Sequence, residues 1–96
     1  MGFALNGIEA QELTLTRGVT YTFTVNAPGH SFYLTTDAAG GSAAGEVTTG
    51  VTNNEIASGV LTFTPSASNP DLLYYQCAIH TYMGWKIHLV NPTTAY

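Results

Sequence analysis

One short segment concentrates the residues able to do chemistry. Cys77, His80 and Met83 follow one another at intervals of three, placing a thiol, an imidazole and a thioether in one loop. A second imidazole, His30, lies far upstream, directly after Pro28 and Gly29. One thiolate, two imidazoles and a weak thioether are the ligand types of blue-copper electron-transfer sites. Thiolate stabilises cuprous ion by covalency, imidazole serves both oxidation states, and a long thioether bond holds either state weakly. The geometry then need change little on reduction, so the barrier to passing an electron is small.

Other chemistries fit these residues less well. A thiol and two imidazoles could hold zinc with a water, but a thioether is a poor zinc ligand and no Glu or Asp is placed as a general base. A Cys–His pair can act as a nucleophile, yet no orienting acid or amide follows it, so a carrier is expected rather than an enzyme. His88 sits between Ile87 and Leu89, which should face inward, and so is expected on the surface. Tyr82 and Trp85 read as rim packing. Glu9, Glu12 and the other carboxylates read as solvated faces, too dispersed to pair.

The elements that must position the loop are strands. Residues 12–16 alternate, and residues 20–26 alternate with Tyr21, Phe23 and Val25 on one face. Residues 31–35, 60–64, 72–77 and 86–90 complete the set, with Leu61 and Phe63 on one side and Leu73, Tyr75 and Cys77 in register. Threonine, valine and aromatics suit a pleated surface, and period two marks half-buried strands. No window shows the 3.6-residue period of an amphipathic helix. Residues 37–59 form a long excursion rich in Gly, Ala, Ser, Thr and Asn, expected to hold turns and short edge strands such as 46–49. Asp71-Leu72-Leu73-Tyr74 resembles a tyrosine corner, in which a hydroxyl bonds back to upstream backbone. Six or more short strands in 96 residues imply a single all-β domain, a β-sandwich or small barrel.

Composition narrows the functions. Charged residues make up 8% of the chain, and its two basic side chains, Arg17 and Lys86, leave a formal net charge of −4. Phosphate backbones and anionic bilayers attract clustered bases, so neither nucleic acid nor a membrane surface is an expected partner. No apolar run approaches the roughly eighteen residues of a membrane span. The first seven residues lack the basic and apolar regions of a signal peptide. Cys77 is the single cysteine, so no internal disulfide is possible, and a domain this small needs a good core, a metal or a partner.

From Leu13 to Val90 the chain resembles a cupredoxin, a small blue-copper protein. Its Cys-x2-His-x2-Met spacing is similar to the short ligand loop of amicyanin-type cupredoxins. Residues 73–84 also look like cupredoxin-type modules embedded in larger marine bacterial and viral proteins. The resemblance implies a Greek-key β-sandwich or barrel binding one copper ion, Cu(I) or Cu(II), through His30, Cys77 and His80, with Met83 axial. Ser31 stands where many carriers have Asn, Ala78 where many have a hydroxyl residue, and Ile79 where a proline often precedes the downstream histidine. The expected function is single-electron transfer with transient redox protein partners. Residues 82–85 and the His80 edge would form the docking patch, and the expected location is exported: periplasmic, extracellular, or on a cell or virion surface. The competing expectation is a structural or adhesive β-sandwich module of a larger surface or virion protein, with a non-redox or vestigial metal site.

Overall fold

Alternating segments become paired strands because a pleated ribbon with one apolar face must bury that face against another. The computed structural model describes residues 2, 4–5, 8–9, 11–42 and 44–92. Their strands are β1 (Ala4–Leu5), β2 (Ile8–Glu9), β3 (Leu13–Thr16), β4 (Tyr21–Asn26), β5 (Phe32–Thr35), β6 (Val51–Thr52), β7 (Ser58–Phe63), β8 (Leu72–Cys77) and β9 (Lys86–Val90). No helix occurs among the described residues. β1 and β2 form a small hairpin, and the rest form a four-stranded sheet, β3-β9-β8-β5, and a three-stranded sheet, β4-β7-β6. β3 runs parallel to β9, and all other pairs are antiparallel. The chain crosses between the two larger sheets after β3, β4, β5 and β7, as in Greek-key sandwiches.

The core lies between these sheets. Leu15, Phe32, Leu34, Leu73, Tyr75, Cys77, Ile87 and Leu89 face Val25, Leu61 and Phe63. The in-register set Leu73, Tyr75 and Cys77 points inward as alternation requires, and His88 points outward between buried Ile87 and Leu89. The 37–59 excursion does more than connect. It closes over the outer face of β5, so Tyr33 and Thr35 are buried too, and the Thr35 hydroxyl donates to the Ala44 carbonyl at 2.6 Å. Asn54 acts as a surrogate strand: its Oδ1 accepts from Leu34 N–H at 2.8 Å and its Nδ2 donates to the Val47 carbonyl at 2.9 Å.

Three details correct the sequence reading. The edge strand is Val51–Thr52 rather than 46–49, where Glu46 makes only an isolated bridge to Thr35 and Val47 is drawn into the core. The hydroxyl that reaches distant backbone is that of Tyr75, not Tyr74; it donates to the Gln11 carbonyl at 2.5 Å, and Tyr21 separately accepts from Thr16 N–H at 2.8 Å. Nor are the carboxylates all unpaired. Glu12 meets His88 Nε2 at 2.5 Å, and this contact holds its carboxyl below the usual range. A hydrogen bond with Glu46 raises the Glu55 carboxyl above its ordinary value. The expectation for the Glu9 side chain lies outside the described residues.

Arg17 gathers the end of the sandwich away from the candidate ligands. Its guanidinium donates to the Ser66 carbonyl at 3.0 Å, the Asn69 carbonyl at 2.9 Å, Asn91 Oδ1 at 3.2 Å and Asp71 Oδ1 at 2.7 Å. Only 11% of the Arg17 side chain is exposed, so Arg17→Met should leave several acceptors unpaired and cost about 2–3 kcal/mol in urea unfolding. Asp71 is 89% exposed, and Asp71→Asn should cost less than about 1 kcal/mol. Equal costs would show that the hub contributes nothing beyond its surface ion pair.

Burial pushes the Tyr75 hydroxyl up to about 12, from an ordinary 10.0. A group whose folded pKa is raised contributes its stability below the unfolded value and loses it as pH climbs through the folded one. The unfolding midpoint should therefore fall between pH 10 and about 12, and Tyr75→Phe should flatten that fall. An identical alkaline profile in the variant would assign the loss to other groups.

Candidate metal centre

Strand register brings the distant candidate ligands together. β5 is antiparallel to β8 with Phe32 opposite Cys77, so the residues just before Phe32 lie beside those just after Cys77. Ala78 N–H donates to the Ser31 carbonyl at 2.9 Å and ties the two connections to one another. His30 is delivered by a tight turn whose His30 N–H donates to the Ala27 carbonyl at 2.9 Å. Pro28 occupies the second position, and Gly29, with φ at 80°, supplies the left-handed third position of a type II turn. His80 comes from the β8–β9 connection at the same end of the sandwich.

The three donor atoms converge. His30 Nδ1 and His80 Nδ1 are 3.2 Å apart, and Cys77 Sγ lies 4.0 Å from the first and 3.8 Å from the second. The point equidistant from all three lies about 2.1 Å from each. Typical metal bonds are about 2.0–2.1 Å to imidazole nitrogen and about 2.3 Å to thiolate sulfur, so the triangle has the size to seat one ion in its plane. Two imidazole nitrogens and a sulfur this close repel unless a proton or a cation sits among them, and the donor set fits a thiophilic metal. Cys77 is wholly buried, and Ile79 N–H points to its sulfur at 3.4 Å. The His30 ring is half-buried and the His80 ring exposed, with ring centroids 4.8 Å apart.

Met83 is buried, 4% exposed, and lines one small depression with His80 and a larger, mainly apolar cleft of about 700 Å³ that His30 also borders. The fold thus brings His30, Cys77 and His80 into one cluster and places Met83 beside it. His88 stays outside and pairs with Glu12. Tyr82, 73% exposed, takes a left-handed φ of 56°, a conformation that costs a non-glycine residue about 1 kcal/mol or more. Ile79, Tyr82 and Trp85 are exposed, and the Lys86 ammonium lies 4.9 Å from the centroid of the Trp85 ring.

Two supports of this loop escape a sequence reading. Gln76 is fully buried on the face of β8 opposite Cys77; its Oε1 accepts from Gly84 N–H at 2.9 Å and its Nε2 donates to the Ala38 carbonyl at 2.7 Å. Residues 38–41 run along the ligand loop, with Tyr82 N–H donating to the Ala39 carbonyl and Gly41 N–H to the Cys77 carbonyl, each at 2.7 Å. A glutamine interrupting an otherwise apolar strand is the one sequence signal that could have pointed to this arrangement.

The chain matches a family of domains along almost its whole length, residues 2–91. It belongs to the At5g54830-like domain family. A relative in Arabidopsis thaliana, the cytochrome b561, DM13 and DOMON domain-containing protein At5g54830, is 35% identical over 100 residues, which cover 91% of this chain and 11% of the relative. Protein Skeletor of Drosophila melanogaster, isoforms B/C, is 52% identical over 31 residues, 32% of this chain and 4% of the Drosophila protein. The At5g54830-like domain therefore spans a small part of the curated relatives it matches. No solved structure matches it. Among the described residues of the At5g54830-like domain, no helix is long and apolar enough to cross a membrane.

Proposed function

We propose that this domain is a cupredoxin-like carrier that binds one copper ion through His30, Cys77 and His80, with Met83 as a weak axial ligand, and passes single electrons. The observation that carries the reading is the convergence of one buried sulfur and two Nδ1 atoms on a point within bonding distance of all three. Bound there, copper would supply a one-electron couple between its cuprous and cupric states. The protein's own part is to hold the donors in place. The paired ends of β5 and β8 fix Cys77, the Pro28-Gly29 turn fixes His30, and the core keeps water from the sulfur. A frame that cannot relax keeps the rearrangement on electron exchange small.

His80 is exposed while its Nδ1 lies 3.8 Å from the buried sulfur, and exposed Ile79 and Tyr82 flank it in sequence, which suits a small, transient interface. The name of the Arabidopsis relative joins such a domain to a cytochrome, and cytochromes exchange electrons one at a time. That pairing supports a one-electron role, with a redox domain of the same or a neighbouring chain as partner. It also fits placement in an exported or membrane-attached protein.

Cupric ion added to the purified apoprotein should produce an intense visible thiolate-to-copper band at one equivalent, and Cys77→Ala should abolish it. A colourless wild-type protein without stoichiometric copper would overturn the proposal. The second reading, a structural module with a non-redox metal, draws support from the small share of the relatives that the chain covers. It requires that copper bind without reversible reduction, so cyclic voltammetry of the loaded protein separates the two.

A further inference from the structure

Gln76 is a buried carboxamide in the outer layer of β8, directly before the thiolate residue, and the ligand set itself does not use it. Its oxygen and its nitrogen bond two different segments of the chain. One accepts from Gly84, where the loop returns to β9; the other donates to Ala38, in the strap that crosses the loop's outer face. The strap then bonds the loop twice more, through Tyr82 to Ala39 and Gly41 to Cys77, with a bridge between Gly40 and Thr81. Tyr82, in its left-handed conformation, is held by that strap.

We infer that Gln76 is a positioning residue for the metal centre: it locks the strap 38–41 to the far end of the loop, and thereby sets where His80 and Met83 stand relative to Cys77. The inference rests on the copper reading for its consequence but not for its geometry. An apolar side chain of equal length keeps the packing and removes both bonds at once. A glutamate keeps an acceptor for Gly84.

The test compares wild type with Gln76→Met and Gln76→Glu, each titrated with cupric ion and each followed by amide hydrogen exchange without metal. In Gln76→Met the visible band should shift or weaken, and a chelator should strip the ion about tenfold faster or more, the scale on which groups supporting metal ligands act. Gln76→Glu keeps the Gly84 acceptor but sets an oxygen against the Ala38 carbonyl, so it should release the strap and restore the wild-type band only in part. In the apoprotein, the Gly41 and Tyr82 amides should lose protection in Gln76→Met by a larger factor than core amides such as Leu34. If Gln76→Met only melts earlier, with an unchanged band and evenly lowered protection, Gln76 is merely structural and the inference falls. If wild type binds no copper but the exchange pattern appears, the copper reading falls and the positioning role stands. Should Gln76→Met fail to fold, wild-type exchange decides: Gly84, Tyr82 and Gly41 should open together, and independent opening of Gly84 would overturn the lock.

Discussion

Gly84→Ala should destabilise the domain more than Gly29→Ala. Gly84 is buried between the end of the ligand loop and β8, and its backbone lies against that of Tyr75. A methyl group there would overlap the Tyr75 carbonyl oxygen, approach its carbonyl carbon to 2.6 Å and reach the Tyr75 ring at 2.8 Å. Two of those atoms are backbone, so no rotamer change relieves the clash. β8 and the loop would have to part, taking with them the Gly84 bond to Gln76 and the Tyr75 N–H bond to the Trp85 carbonyl at 3.1 Å. The expected cost is about 4 kcal/mol or more, against a total stability of about 5–15 kcal/mol for an ordinary domain. Gly29→Ala is the natural comparison. A methyl group at Gly29 meets nothing within 4 Å, so only its left-handed φ is at stake, and the cost should stay near 1 kcal/mol. Urea unfolding of the two variants checks both figures. Near-equal stabilities would mean that the contact between Gly84 and β8 is looser than described.

Loading with copper should raise the melting temperature by about 15–30 °C. His30 and Cys77 are 47 residues apart in sequence and adjacent only in the folded state, so an ion held by both selects the native chain over the unfolded one. At a free ion concentration a thousandfold above its dissociation constant the gain is about 4 kcal/mol, and each kcal/mol moves the midpoint of a domain this size by about 4–8 °C. Calorimetry of apo and loaded protein, with Cys77→Ala as the control, measures it. Coincident transitions of apo and loaded wild type would show that the three donors do not act on one ion, whatever their separation. The two experiments touch different parts of one construction: the first removes the frame that returns the loop to β9, the second engages the donors that the frame presents.

Legibility differs from element to element. The alternation of Tyr21, Phe23 and Val25, and of Leu73, Tyr75 and Cys77, announces strands and even their inward faces, because period two is a local property that burial amplifies. The edge strand was misplaced because a two-residue strand carries no period. Val47 looks like a strand residue but is buried from a loop, with Asn54 supplying the bond to its carbonyl that a partner strand would have made. Tyr74 and Tyr75 are indistinguishable as residue types; their opposite faces follow from register with β5 and β9. The pairing of Glu12 with His88 joins residues 76 apart and follows from the parallel placement of β3 beside β9, which no local pattern encodes.

The amino-acid order alone was enough to establish an all-β chain and to nominate Cys77, His80 and Met83, because their donors sit within one short loop and their types are chemically restrictive. His30 was nominated through the resemblance, and folding set it beside them, turned its Nδ1 and that of His80 to the sulfur, and placed Gln76 and a glycine-containing strap to hold the loop. Spacing of a few residues constrains geometry directly, whereas contacts across dozens of residues depend on sheet order, register and the path of the crossings. Those are outcomes of the whole core packing at once.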